Sequence, residues 1–132
     1  MIRLIVIVSL VLLACNDKSI QSRIEAADRI EVIDNETGFS HVDTTAVVVN
    51  GFKEVLNTAP EPTDCTPQGR VVFKKGDKIL SEVGYYKDAS ACTFLITESK
   101  GKKTGYHLSA NALVYLGVYF QKLKMKHNAG NH

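Results

Sequence analysis

Four histidines, three cysteines and a cluster of lysines carry most of the reactive chemistry in this 132-residue chain. None of them falls into a catalytic spacing. His41 and His107 stand alone, and His127 and His132 lie in a polar tail, where a pair holds a metal only weakly. There is no CxxC, and no histidine lies at ligand spacing from Cys65 or Cys92, so neither a redox dithiol nor a metal site is expected, and no cofactor. GxSxG, HExxH, P-loop and GxGxxG patterns are missing. Carboxylates are present, but sequence alone cannot pair two of them at the separation that glycoside hydrolysis needs. Lys100, Lys102 and Lys103 cluster at a turn, where they are solvated or touch an anionic lipid or glycan. Asn35-Glu36-Thr37 matches an N-glycosylation pattern, which counts only in a chain that meets a glycosylation machinery.

Composition narrows the class. The chain is 45% hydrophobic and 23% charged, which excludes a disordered chain, a collagen, a coiled coil and a polytopic membrane protein. Sixteen basic against fourteen acidic residues give +2, too weak a balance to argue for nucleic acid as a partner.

The first fifteen residues are the most specific signal. Arg3 supplies a positive charge, and Leu4 to Leu13 is apolar apart from Ser9. Ten residues make about 15 Å of helix, roughly half a bilayer core, so the run reads as a cleaved signal rather than a permanent span. It ends in Leu12-Leu13-Ala14-Cys15, followed at once by polar Asn16-Asp17-Lys18. This segment resembles the lipobox of bacterial lipoproteins. The resemblance implies cleavage after residue 14, a diacylglycerol thioether on Cys15 and anchoring of the mature chain to a membrane. It covers only the signal. Asn16 and Asp17 are no clean inner-membrane retention signal, so the default is an outer-membrane lipoprotein facing the periplasm. Beyond the lipobox, the domain loosely resembles small uncharacterised envelope lipoproteins of Gram-negative bacteria, which implies no activity.

With Cys15 consumed by lipid, Cys65 and Cys92 remain, and an even pair in an exported chain reads as a disulfide. A closed loop of about 28 residues gives roughly 3.5 kcal/mol of stabilisation by chain entropy.

The elements that position these residues are legible in part. Residues 15–28 form a polar tether, although Ile20, Ile24 and Ala27 could share one side of a short helix. Residues 29–125 read as a single domain and 126–132 as a fraying tail. RIEVID from Arg29 alternates as a strand, and Asn35-Glu36-Thr37-Gly38 turns. Asp43-Thr44-Thr45 caps a helix over 45–57, with Val48, Phe52, Val55 and Leu56 on one stripe. A hairpin about Asn50-Gly51 competes with that helix. Three prolines then mark a loop. From residue 70 four strands follow, joined by short turns and therefore antiparallel. Ser109 caps a last helix with Leu113, Leu116, Phe120 and Leu123 on its apolar stripe, Tyr115 and Tyr119 at the stripe's edge, and Lys122, Lys124 and Lys126 suiting the negative end of its dipole. The sum is a two-layer α+β domain, a four- to five-stranded antiparallel meander with one or two helices on one face, the last of them C-terminal.

Alternation directs Cys92, Phe94 and Ile96 inward with Val71, Phe73, Val83, Tyr85, Tyr106 and Leu108. It directs Val72, Leu80, Tyr86, Leu95 and His107 to the outer face. Four of those five are large and apolar or aromatic, and a contiguous patch of that kind marks a partner surface. The expectation is a lipid-anchored, non-catalytic interaction module that binds an envelope protein through this face, as an accessory subunit or small inhibitor. A small envelope hydrolase and a structural lipoprotein bound to cell wall or lipid are the alternatives.

Overall fold

The computed structural model describes residues 19–87 and 92–130. Cys15, the signal segment and the start of the tether lie outside the described residues. Chain order is α1 (Ile20–Ile24), β1 (Arg29–Asp34), β2 (Ser40–Asp43), α2 (Ala46–Val55), β3 (Glu61–Pro62), β4 (Gly69–Lys75), β5 (Lys78–Tyr86), β6 (Phe94–Ser99), β7 (Lys102–His107) and α3 (Ala110–Gly130). The fold is α+β. Among the described residues, one antiparallel sheet has the order β2-β1-β4-β5-β6-β7-β3, seven strands rather than four or five, and three helices pack on one of its faces.

The additional strands are short. β2 is the return arm of a hairpin closed by the Asn35–Gly38 turn. Asp34 holds that turn: its Oδ2 accepts from the Thr37 hydroxyl at 2.7 Å and the Thr37 amide at 3.1 Å. Gly38 takes a φ of +76°, a left-handed conformation that costs other residues more. β3 is a two-residue stub on the outer edge of β7.

Residues 46–55 are helical, so the hairpin about Asn50-Gly51 does not form. Its consecutive valines are β-branched, but Val48, Val49, Phe52, Val55 and Leu56 all bury in the core, a gain that only the helical period delivers. Asp43 accepts the Thr45 amide at 2.7 Å and so fixes the chain where it enters α2. In α3, Ser109 accepts the Ala112 amide at 3.1 Å as the cap predicted from sequence. Its buried stripe is Ala112, Leu116 and Tyr119, with Leu113 at the border. The side chains of Phe120 and Leu123 lie outside the described residues. The helix runs through His127 to Gly130, where fraying is expected from sequence. The segment before β1 is a working part of the domain, because Ile24 of α1 and Ala27 just after it are buried in the core.

The core lies between the helices and the facing side of the sheet, where Ile30, Val32, Val71, Phe73, Val83, Tyr85, Leu95 and Tyr106 meet α1, α2 and α3. Register explains one reversal of the expected faces. Tyr85, Leu95 and Tyr106 are opposite one another across β5, β6 and β7. Leu95 therefore belongs to the core, and Phe94 and Ile96 point to the outer side. Leu80 also leaves the outer face. The register of β4 and β5 shifts between Phe73 and Lys74, leaving Leu80 between the partners Ile79 and Ser81 and packed against the core.

Candidate functional site

The outer face of the sheet has two halves. Over β1, β4 and β5 it is ionic. Lys74 Nζ lies 2.7 Å from Glu31 Oε1, and Arg70 lies 3.8 Å from Glu82. The Lys74 ammonium holds the Glu31 carboxyl below the usual carboxylate range, against a desolvation that works the other way. Val72 sits between Glu31 and Glu82 in the register and is only 1% exposed, so it offers no apolar contact surface.

Over β5, β6 and β7 the outer face is covered by the loop that follows β3. Pro67 lies so close to Gly84 that a Cβ there would come within 2.6 Å of the proline ring. Phe94 lies over Gly105 in the same way. The glycines on β5 and β7 flank Ile96 in the register and leave room for these rings. A disulfide joins Cys65 in the loop to Cys92 just before β6, with Cα atoms 5.9 Å apart. Cys92 is therefore not a core residue. Its bond fastens the loop to the outer face, and Phe94 and Ile96 are 3% exposed beneath it.

Between the loop, β3 and the β6–β7 hairpin runs an open groove of about 810 Å³. Glu61 and Asp64 supply its acids, Lys102 and Lys103 its bases, and Phe94 and the disulfide its apolar wall. At one end the His107 ring packs on Phe94 with centroids 4.6 Å apart, and His107 Nε2 lies 3.2 Å from Glu61 Oε1. Both side chains of this pair are more than half exposed, so solvent screens it.

Of the five residues assigned to the outer face from sequence, Tyr86 and His107 remain accessible there, Val72 is buried in the ionic half, and Leu80 and Leu95 are on the helix side. Glu61, Asp64 and Phe94 are missed by sequence reasoning. Two strand-interior glycines, Gly84 and Gly105, are the signal that another segment approaches closely there.

A second polar cluster joins α3 to the edge of the sheet. The Tyr119 hydroxyl donates to Asp43 Oδ2, and the His41 ring packs on Tyr119 at 4.9 Å. Burial works to raise the Asp43 pKa, but hydrogen bonds from Tyr119 and Thr45 and the neighbouring His41 outweigh it and leave it lowered. Burial and then the Asp43 carboxylate push the Tyr119 phenol well up. A neutral tyrosine donating to an ionised aspartate is a structural clamp. Tyr115, four residues earlier, packs beside Gly51 and Phe52 on α2.

Among the described residues, no three His, Cys, Asp or Glu side chains gather closely enough to hold a metal ion, and no helix is long and apolar enough to cross a membrane. No family model, no curated protein and no solved structure matches this chain.

Proposed function

We propose that the chain is a lipid-anchored binding module of the bacterial cell envelope, tethered through Cys15 and presenting the groove over β6 and β7 to an envelope protein. The observation that carries the binding reading is the groove itself. It is open along its length, walled by a disulfide-fastened loop, and lined by acids on one side and lysines on the other. Such a lining suits a peptide segment with both charge signs, and the fastened loop limits the ordering cost of binding. The lipobox-like Leu12-Leu13-Ala14-Cys15 supports the anchor, since stable attachment takes two or more acyl chains.

The test is photocrosslinking in intact cells, with the crosslinker placed at Asp64 in the groove or at Glu36 on the distant β1–β2 turn. One envelope protein captured from position 64 and not from position 36 is the expected result. Equal capture at both positions, or none above an anchored control domain, overturns the groove. A Cys15→Ser chain should leave the membrane fraction, and unchanged fractionation overturns the anchor.

A small envelope hydrolase is the second reading. It draws on the His107–Glu61 pair, an imidazole and a carboxylate at hydrogen-bond distance beside the groove.

A further inference from the structure

The two ends of the sheet differ in charge. The β4–β5 and β6–β7 turns open at the same end, because β5 and β6 are antiparallel neighbours. Lys74–Lys78 carries three lysines and Asp77, and Glu98–Lys103 carries three lysines and Glu98. The two turns together are +4 while the whole chain is only +2, so the remainder is net negative, although the end of α3 carries three further lysines, Lys122, Lys124 and Lys126. Lys75, Lys78, Lys100 and Lys102 are exposed, and so is Ile79, at 55%.

This end is also where the N-terminal segment joins the domain. α1 packs against β5. Four residues later Asp28 is pinned to the base of the first turn, its amide donating to the Lys74 carbonyl at 2.9 Å and its carboxylate accepting the Gly76 amide at 3.1 Å. Arg29 hydrogen-bonds the same carboxylate at 3.0 Å and Lys75 Nζ lies 3.7 Å from its other oxygen, so Asp28 is shared between Arg29 and Lys75. Lys74 is paired with Glu31, and Lys78, Lys100, Lys102 and Lys103 supply the rest of the positive charge at this end. Three residues separate Cys15 from Ser19, and whatever their conformation the four Cα–Cα steps reach no further than about 14 Å.

We propose that the lysine-tipped end of the sheet docks on a membrane surface of anionic phospholipid headgroups. Its orientation rests on the anchor proposed above; its charge does not. A lipid on Cys15 holds α1 near the bilayer, and the turn that shares its end of the sheet then meets the headgroups. The lysines pair with lipid phosphates while Ile79 enters the interface. Docking this way sets the Lys102–Lys103 end of the groove beside the membrane and the Glu61–His107 end away from it.

The test is lysine footprinting on the full chain, reconstituted into phosphatidylcholine vesicles with or without phosphatidylglycerol. Acetylation at Lys75, Lys78, Lys100 and Lys102 should slow about five-fold on the anionic vesicles, the scale of one basic residue near a charged leaflet. Lys87, at the far end of β5, serves as reference and should be unaffected. Added salt should restore the rates. In a Lys75→Glu, Lys78→Glu chain, whose changes lie on an exposed turn, protection at Lys100 and Lys102 should fall too. Equal rates on both vesicles, or slowing at Lys87 as large as at the turns, overturn the proposal. The mass of the N-terminal peptide separates the two claims. An acylated chain with unprotected turns keeps the anchor and sinks the docking surface, and an unacylated chain with protected turns does the reverse.

Discussion

Asp43 does three jobs with one carboxylate. It receives the chain entering α2 through the Thr45 amide, it holds α3 through the Tyr119 hydroxyl, and it sits at the end of an edge strand. A hydrogen bond to a charged acceptor is worth more than a neutral one, so Tyr119→Phe should cost about 1.5 kcal/mol at neutral pH by denaturant unfolding. Asp43 has a lowered pKa in the folded chain. Its contribution is therefore fully present above the ordinary carboxylate pKa of about 4 and is lost as pH falls through the lower folded value. The stability gap between wild type and Tyr119→Phe should accordingly close on acidification below about pH 4, and a gap that stays constant with pH would show that the clamp does not depend on the ionised carboxylate.

Two glycines separate packing that can relax from packing that cannot. A Cβ on Gly69 would lie 2.3 Å from the Ile33 carbonyl oxygen and 2.5 Å from the Tyr85 ring, both fixed within the sheet. On Gly84 the obstacle is Pro67, part of a loop that can move. Gly69→Ala should cost about 3 kcal/mol, near the upper end for overpacking, and Gly84→Ala about 1 kcal/mol. Gly84→Ala should also shift the loop and weaken whatever the groove binds. Comparing the two by thermal unfolding, with the groove crosslink as second readout, checks both. The same elements show what sequence could and could not convey. β1, β4, β5 and β7, α2 and α3 follow from alternation, from stripes at helical spacing and from turn residues. β2 is four residues with no alternating burial, and β3 is two residues defined only by its partner. In β6, Phe94-Leu95-Ile96 is apolar at every position, because the helix layer covers one face and the disulfide loop the other. Period-two reasoning cannot choose a side for such a run. The groove was illegible for the same reason: its wall is a loop without periodicity, placed by Cys65, Pro67 and the gaps at Gly84 and Gly105.

At the scale of the whole molecule, two of the six strand pairings among the described residues are non-local. β1 finds β4 and β3 finds β7 across long stretches of chain, so loop-closure entropy opposes folding until late contacts form. The Cys65–Cys92 bond, across a sequence separation of 27, limits that freedom. A Cys65→Ser, Cys92→Ser chain should lose roughly 3.5 kcal/mol of stability, and its loop over β5–β7 should become open to proteolysis near Pro67. A loss below about 1 kcal/mol would mean that Pro67 and Phe94 hold the loop without the bond.

The stub β3 has a further consequence. It ends the sheet after two residues, and Pro62, its second, has no amide hydrogen to offer a newcomer. A strand edge left unpaired is a template for polymerisation, and tethering many copies to one surface raises the frequency of sideways encounters between them. With its second residue a proline, this edge gives a neighbouring copy almost no ladder to extend, so copies brought close together would not join their sheets through β3.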